Sequence, residues 1–303
     1  MNWERTGTRM PGKRRIIRKT ADEYVIGGFS YLIVGLFSLL CFIPILLVVI
    51  YSFTPYDLYL KNHFDFFPSR LTLDAYRMVM NYRYIWTGYG NTLYITIFGS
   101  ALSLIVLVLT GYPLSKKDLK GRNVYMTLWI ITMFFSGGMI PNYFLIRTLG
   151  LLNNRWSLIL PGLVSCYNLI LMKNYIQGLP GSLEEAALID GANDLMVLIR
   201  IVLPLSAPIL ATLGLFTAVG YWNSYFNAIM YMTKRANWPL QLVLRELLFE
   251  SAVNEMTAMD ERVSTPFLLK MASIVVATVP IMCIYPFLQK YFMTGLVLGG
   301  VKE

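Results

Sequence analysis

Six stretches of this chain, approximately 24–53, 91–115, 124–146, 156–177, 205–232 and 268–292, are long enough and apolar enough to cross a lipid bilayer. Their central portions hold no Asp, Glu, Lys or Arg; Arg147, Lys173, Lys270 and Lys290 fall near or just beyond the ends. A charge at mid-bilayer costs about 2.5–3.5 kcal/mol even on the most permissive insertion scale, so its absence from six successive blocks is a strong constraint. Backbone in hydrocarbon must satisfy its own hydrogen bonds, and for blocks of this length the helix does so. The expected fold class is therefore all-α integral membrane, with six transmembrane helices. Pro44, Pro113, Pro141, Pro161, Pro280 and Pro286 lie within the blocks, where neighbouring helices can satisfy the carbonyls they free.

Composition removes the other broad classes. Charged residues make up 14% of the chain, against about 25% in soluble domains. The net charge of +9 could suggest nucleic acid, but seven of the 26 basic residues crowd ahead of the first block: Arg5, Arg9, Lys13, Arg14, Arg15, Arg18 and Lys19. A basic flank before a first span is the positive-inside signal, and topology is the better reading. That first block, Tyr24 to Phe53, is too long for the core of a cleavable signal peptide and no A-x-A site follows it, so it is expected to remain as a span. Cys41, Cys166 and Cys283 are isolated within spans and His63 is the only histidine, which argues against disulfides and metal sites.

Loop charges orient the chain. The short loop 116–122 carries Lys116, Lys117, Lys120 and Arg122 and is expected in the cytoplasm, whereas 148–155 carries only Arg155 and is expected outside. An even number of spans then puts both termini in the cytoplasm. Two longer segments, 54–90 and 233–267, fall outside with mixed charges (Asp57, Lys61, Asp65, Arg70, Asp74; Glu246, Glu250, Asp260, Arg262) and with Tyr56, Tyr59, Tyr82, Tyr84, Trp86 and Trp238 in or beside them. Those aromatics suit an interfacial belt, and equally a surface for an extracytoplasmic partner. The organisation reads as a basic arm, 1–23, followed by one membrane domain, 24–303.

The most informative segment, 179–208, joins the fourth and fifth blocks on the cytoplasmic side. Ser182 followed by Glu185 has the spacing of a capping box, and Glu184 and Glu185 complement the positive end of a helix dipole. Ala186 and Ala187 are strong helix formers. Asp190-Gly191 supplies a C-cap, and a second helical piece at about 194–202 is expected to stop at Pro204.

"EAALIDGANDLMVLIRIVLPLSAP" resembles the EAA loop of the membrane subunits of binding-protein-dependent ABC importers, matching at Glu185, Ala186, Ala187, Asp190, Gly191, Ala192, Ile201, Leu203, Pro204 and Pro208. The likeness covers nearly the whole chain. The six-span plan, "GYWNSYFNAIMYM", "WPLQLVLRELL" and "MTGLVLGGVKE" are similar to the carbohydrate-uptake branch, and most of all to the counterparts of the second membrane subunit of the maltose transporter. The resemblance implies a type I ABC importer-like fold with the loop acting as a coupling helix on a cytoplasmic ATPase. Glu185 would then make the polar contact and Ala186, Ala187 and Gly191 would permit close packing, with Glu184, Asp190, Ala192 and Pro204 belonging to the same ATPase-coupling set. A well-capped interfacial helix explains Ser182 and Glu185 alone, but not Ile201-x-Leu203-Pro204 at the family's spacing. Trp222, Asn223, Tyr225 and Asn227 suit sugar rings and hydroxyls; polar bonding between membrane helices accounts for them equally well.

No G-x-x-x-x-G-K-[ST] phosphate loop occurs. Hydrolysis is therefore expected on a separate subunit, with ATP and magnesium bound there and no catalytic or metal-binding residue in this chain. The implied assembly comprises this chain, a homologous second membrane subunit, an ATPase dimer and an extracytoplasmic solute-binding protein, in a bacterial cytoplasmic membrane. The ending "VLGGVKE" resembles a sub-branch associated with oligosaccharides, including uronate-containing ones such as alginate or pectin fragments. An ion-driven secondary transporter is the rival reading, but proton relays place Asp, Glu or His within spans, and the mid-span regions have none.

Overall fold

The computed structural model describes residues 21–61, 66–257 and 266–295. The basic arm through residue 20, His63, Asp65, Asp260, Arg262 and the ending from 296 lie outside the described residues. Every regular element among the described residues is helical.

The chain forms two compact units that meet between Leu47 and Val48, inside helix α1 (Ala21–Ser52). In the first unit, α1 is apolar on every side: Phe29, Leu32, Leu36 and Leu40 all stand exposed. A helix hydrophobic all round has the surface of a membrane span.

The second unit begins with the end of α1 and two short helices, α2 (Tyr56–Lys61) and α3 (Asp74–Asn81). At its centre stands α4 (Ile85–Ser115). Next come α5 (Arg122–Phe134), α6 (Met139–Thr148), α7 (Trp156–Ile159) with a 3-10 turn, α8 (Cys166–Gln177), α9 (Gly181–Ile189), α10 (Asp194–Val197) and α11 (Leu203–Leu205). The chain closes with α12 (Ala207–Trp222), α13 (Tyr225–Tyr231), α14 (Leu240–Thr257) and α15 (Pro266–Gly295).

Helices α8, α12 and α14 pack on α4, and small residues of α4 permit it. A Cβ on Gly99 would fall 2.8 Å from the Tyr221 ring, and one on Gly88 would fall 3.2 Å from the Leu240 backbone. Two cores result. One surrounds Ile95, Ile159, Tyr221 and Leu242; the other joins Leu107, Tyr112, Leu169, Met172, Val197 and Leu213. Buried Tyr221 spans the first, its hydroxyl donating to the Ile159 carbonyl at 3.1 Å and pairing with Ser103 Oγ at 3.0 Å.

Proline in α15 is accommodated as the sequence suggests. Pro280 has no N–H, so the Val276 carbonyl four residues earlier loses its helical donor. Tyr89 Oη of α4 donates to that carbonyl at 2.7 Å, and Trp222 Nε1 of α12 donates to the adjacent Ala277 carbonyl at 3.1 Å.

Two helices, Gly27–Ser52 and Ile85–Ser115, can each cross a membrane unaided. Three helix pairs are bent: α5 and α6 by 114°, α7 and α8 by 53°, and the α10–α11 stretch and α12 by 79°. Counted as single spans they bring the total to five, and α15 adds a shorter apolar stretch, Phe267–Cys283. Block 156–177 is therefore bent between Gly162 and Cys166, and neither of two further blocks, 124–146 and 205–232, is a single helix. Ser136-Gly137-Gly138 breaks the former, with Gly138 at φ 88°. The latter stops at Trp222, where Asn223 and Ser224 form a turn and Tyr225 N–H bonds the Asn223 carbonyl at 2.7 Å. Short polar side chains compete for backbone groups, and glycine carries no penalty against leaving the helix.

Candidate functional site

The segment 179–208 folds as a helical hairpin. Helix α9 starts at Gly181, capped by the backbone of Pro180 with no side-chain bond, and Leu183 N–H reaches the Pro180 carbonyl at 3.2 Å. The capping box expected between Ser182 and Glu185 does not form, because Ser182 already lies inside the first turn instead of ahead of it. The other end follows the sequence. Gly191 adopts φ 86°, and Ala192 N–H bonds the Ala187 carbonyl at 3.0 Å while Gly191 N–H bonds Leu188 at 3.1 Å, a Schellman closure. Asn193 Oδ1 then accepts from Met196 N–H at 2.8 Å and starts α10. Pro204 does not stop this second piece at 202. A π-turn over Leu198–Val202 widens the helix ahead of the proline, and α11 continues to Leu205.

The hairpin is fastened to the foot of α4. Lys116, the residue capping α4, forms an ion pair with Glu184, and its ammonium lies 4.6 Å from the Tyr112 ring centroid. The last carbonyls of α4 are also taken: Gln177 Nε2 donates to Ser115 and Arg122 Nε to Leu114, each at 2.9 Å. Burial pulls the Lys116 pKa down, but the hydrogen bond and charge of Glu184 outweigh it and the net shift is upward.

The proposed coupling residues divide by environment. Glu184, Ala187 and Ala192 are half-buried, and the two alanines pack against the Leu107–Leu213 core. Glu185, Ala186, Asp190, Gly191 and Pro204 are exposed. Beside them stand apolar side chains that sequence reading passed over: Ile189 is 85% exposed, with Leu188, Leu195 and Ile199 also open. Lys116 was likewise seen only as an orienting charge. Nothing local in the sequence pairs it with Glu184, 68 positions away.

The second cluster also separates. Trp222 is 3% exposed and spends its N–H on Ala277, so it joins helices. Asn223, Tyr225 and Asn227 border a cleft of about 570 Å³ with Tyr167, Asn168 and Thr217. Tyr225 also borders a second cleft, of about 450 Å³, formed with α14 and α15. Gln241 Nε2 of α14 donates to Asn223 Oδ1 at 3.3 Å.

No family model matches the chain. It is 42% identical over 280 residues to the polygalacturonan/rhamnogalacturonan transport system permease protein YtcP of Bacillus subtilis (strain 168), covering 90% of this chain and 98% of that protein. It is 31% identical to the arabinooligosaccharides transport system permease protein AraQ of Halalkalibacterium halodurans, over 90% of this chain and 96% of that one. A chain from the crystal structure of a bacterial ABC transporter involved in the import of the acidic polysaccharide alginate superposes with TM-score 0.80 at 32% identity, covering 91% of this chain and 99% of that chain. This sequence belongs to the permease subunits of carbohydrate ABC transporters.

Proposed function

We propose that this chain is one half of the membrane pathway of an oligosaccharide importer, with six spans and both termini in the cytoplasm of a bacterial cell. A homologous second permease supplies the other half, an extracytoplasmic binding protein delivers the sugar, and a cytoplasmic ATPase dimer, holding ATP and magnesium, drives the cycle. The substrate is an acidic oligosaccharide. Support for the acid comes from the relatives, named for polygalacturonan/rhamnogalacturonan and for alginate.

The observation that carries the coupling role is the fastened hairpin. Its inner side is locked to α4 by Lys116–Glu184 and packed on the core, while Glu185, Asp190 and the apolar Ile189 stand free. An exposed apolar group rimmed by carboxylates is the surface of a docking site. Motion of a partner seated there would pass to α4 through the ion pair and to α12 through the bend at Ser206.

The test is copurification of this chain with its second permease and ATPase, followed by ATP hydrolysis in lipid with loaded binding protein. Ile189→Asp is expected to weaken ATPase association at least tenfold, a buried apolar contact being worth about 1.5–3 kcal/mol. Undiminished association of that variant would remove the hairpin from the interface.

A further inference from the structure

Gln241 and Arg245 are four residues apart on α14 and so share one face of the helix. With Tyr225 and Leu244 they line the 450 Å³ cleft, together with Ser273, Ala277 and Thr278 of α15. The Arg245 guanidinium lies 4.7 Å from the Tyr225 ring centroid and 4.9 Å from that of Phe249. Two aromatic neighbours hold the cation by cation–π attraction and leave its N–H donors available.

No carboxylate pairs with Arg245 among the described residues. Adjacent Glu246 is already engaged by Arg235 and by Tyr82. Two hydroxyls of the same cleft are also unspent. Tyr225 Oη and Ser273 Oγ are buried without a hydrogen-bond partner, and Ser273 as a whole is 2% exposed. By contrast Thr278 gives its hydroxyl to the Ile274 carbonyl at 2.7 Å. Gln241 spends one donor on Asn223 and keeps its carbonyl oxygen.

A buried hydroxyl without a partner, and a cation without an anion, are each unfavourable unless a ligand completes them. Here the missing groups are one carboxylate and several hydroxyls around an aromatic face, which together describe a uronic acid residue. We propose that Arg245, Gln241, Tyr225 and Ser273 form a subsite for a carboxylate-bearing sugar residue on the translocation pathway. Arginine fits this role through its planar fork, which meets a carboxylate with two parallel hydrogen bonds. The proposal rests on the importer reading above and adds to it the residues that select acid over neutral sugar.

The other source of a carboxylate is an acidic side chain of the second permease, and the experiment separates the two. Dissociation constants for a galacturonic acid trimer and for its methyl ester are measured on the purified permease–ATPase complex in lipid. Wild type is expected to favour the acid by about 10- to 100-fold, the range of a charge-assisted hydrogen bond. Arg245→Gln removes that preference by weakening acid binding far more than ester binding, while Arg245→Lys keeps part of it. Unchanged acid binding by Arg245→Gln, or equal weakening toward acid and ester, overturns the subsite. Dissociation of the complex in that variant also overturns it and gives Arg245 to the subunit interface. ATP-driven uptake without any acid preference sinks the subsite alone; absence of ATP-driven uptake in wild type sinks the importer reading with it.

Discussion

Lys116 is the residue on which the hairpin's position turns. Its ion pair with Glu184 is partly buried, the side chains being 29% and 19% exposed. Such a pair lies between a surface bridge, worth about 0–1 kcal/mol, and a buried one, whose breakage costs about 3–5 kcal/mol. Lys116→Met is therefore expected to loosen the hairpin by about 1–3 kcal/mol. Uptake per ATP hydrolysed should fall at least about fivefold, while ATPase association falls less. The reversed pair Lys116→Glu with Glu184→Lys should restore much of the loss, and its failure to do so in a transport assay would show that charge is not what joins them. A pKa raised above 10.5 means the favourable contribution is complete below that value and is lost only as pH rises through the higher folded one. Uptake by wild type should thus show no Lys116-dependent change between about pH 6 and 9.

At the scale of elements, the turn of the hairpin makes a sharper test than its helices. Gly191 holds φ 86°, yet a Cβ built there meets nothing within 4 Å. Strain, not crowding within this chain, is what a substitution adds, about 1–2 kcal/mol for a side chain in the left-handed region and less for Asn. Gly191→Asn and Gly191→Val should therefore differ in folding but agree in ATPase stimulation if close packing by the partner is what needs glycine there. If Asn restores full stimulation, the glycine serves the turn alone. This turn was legible in the sequence because Asp190-Gly191 acts locally, as was the start of α10 at Asn193. Less legible were the features set by contact at a distance. The Ser182 cap was lost to Pro180, and the block 205–232 broke at Asn223, although Trp-Asn-Ser within an apolar run was a visible warning. Trp222 could not be assigned from sequence, since its role depends on a carbonyl of α15 beside a proline. Likewise nothing in the sequence singles out Arg245 within the segment 233–267; only folding places it against Tyr225, beside a cleft that Ser273 also lines.

The whole molecule carries more apolar surface than water tolerates. No residue of α5 is buried, and Val124, Leu128, Ile131 and Phe134 are all exposed, as are Ile140 and Leu145 of α6 and residues 28–46 of α1. Soluble monomers rarely expose contiguous apolar patches beyond a few hundred Å², so this surface calls for an apolar environment such as a bilayer. The ABC transporter family of this permease implies ATP as the energy source. An ion-coupled carrier binds its ion at titratable groups within the membrane or at unwound backbone. Here the six blocks carry no mid-span Asp, Glu or His, and several polar side chains in or beside them bond backbone carbonyls, as Thr217 does to Leu213 at 2.9 Å and Tyr89, just ahead of the second block, to Val276 at 2.7 Å. Reconstituted with its partners, the transporter should lose uptake when ATP is withdrawn and keep it within about twofold when a protonophore or sodium ionophore collapses the gradients, since no charge in the spans couples to a potential worth about 2.3 kcal/mol per charge per 100 mV. Uptake that tracks the gradient while ATP is present would move the driving force from the hairpin to the breaks in the helices. Asn223-Ser224, where backbone leaves the helix beside a cleft, would then be the first place to look for the ion.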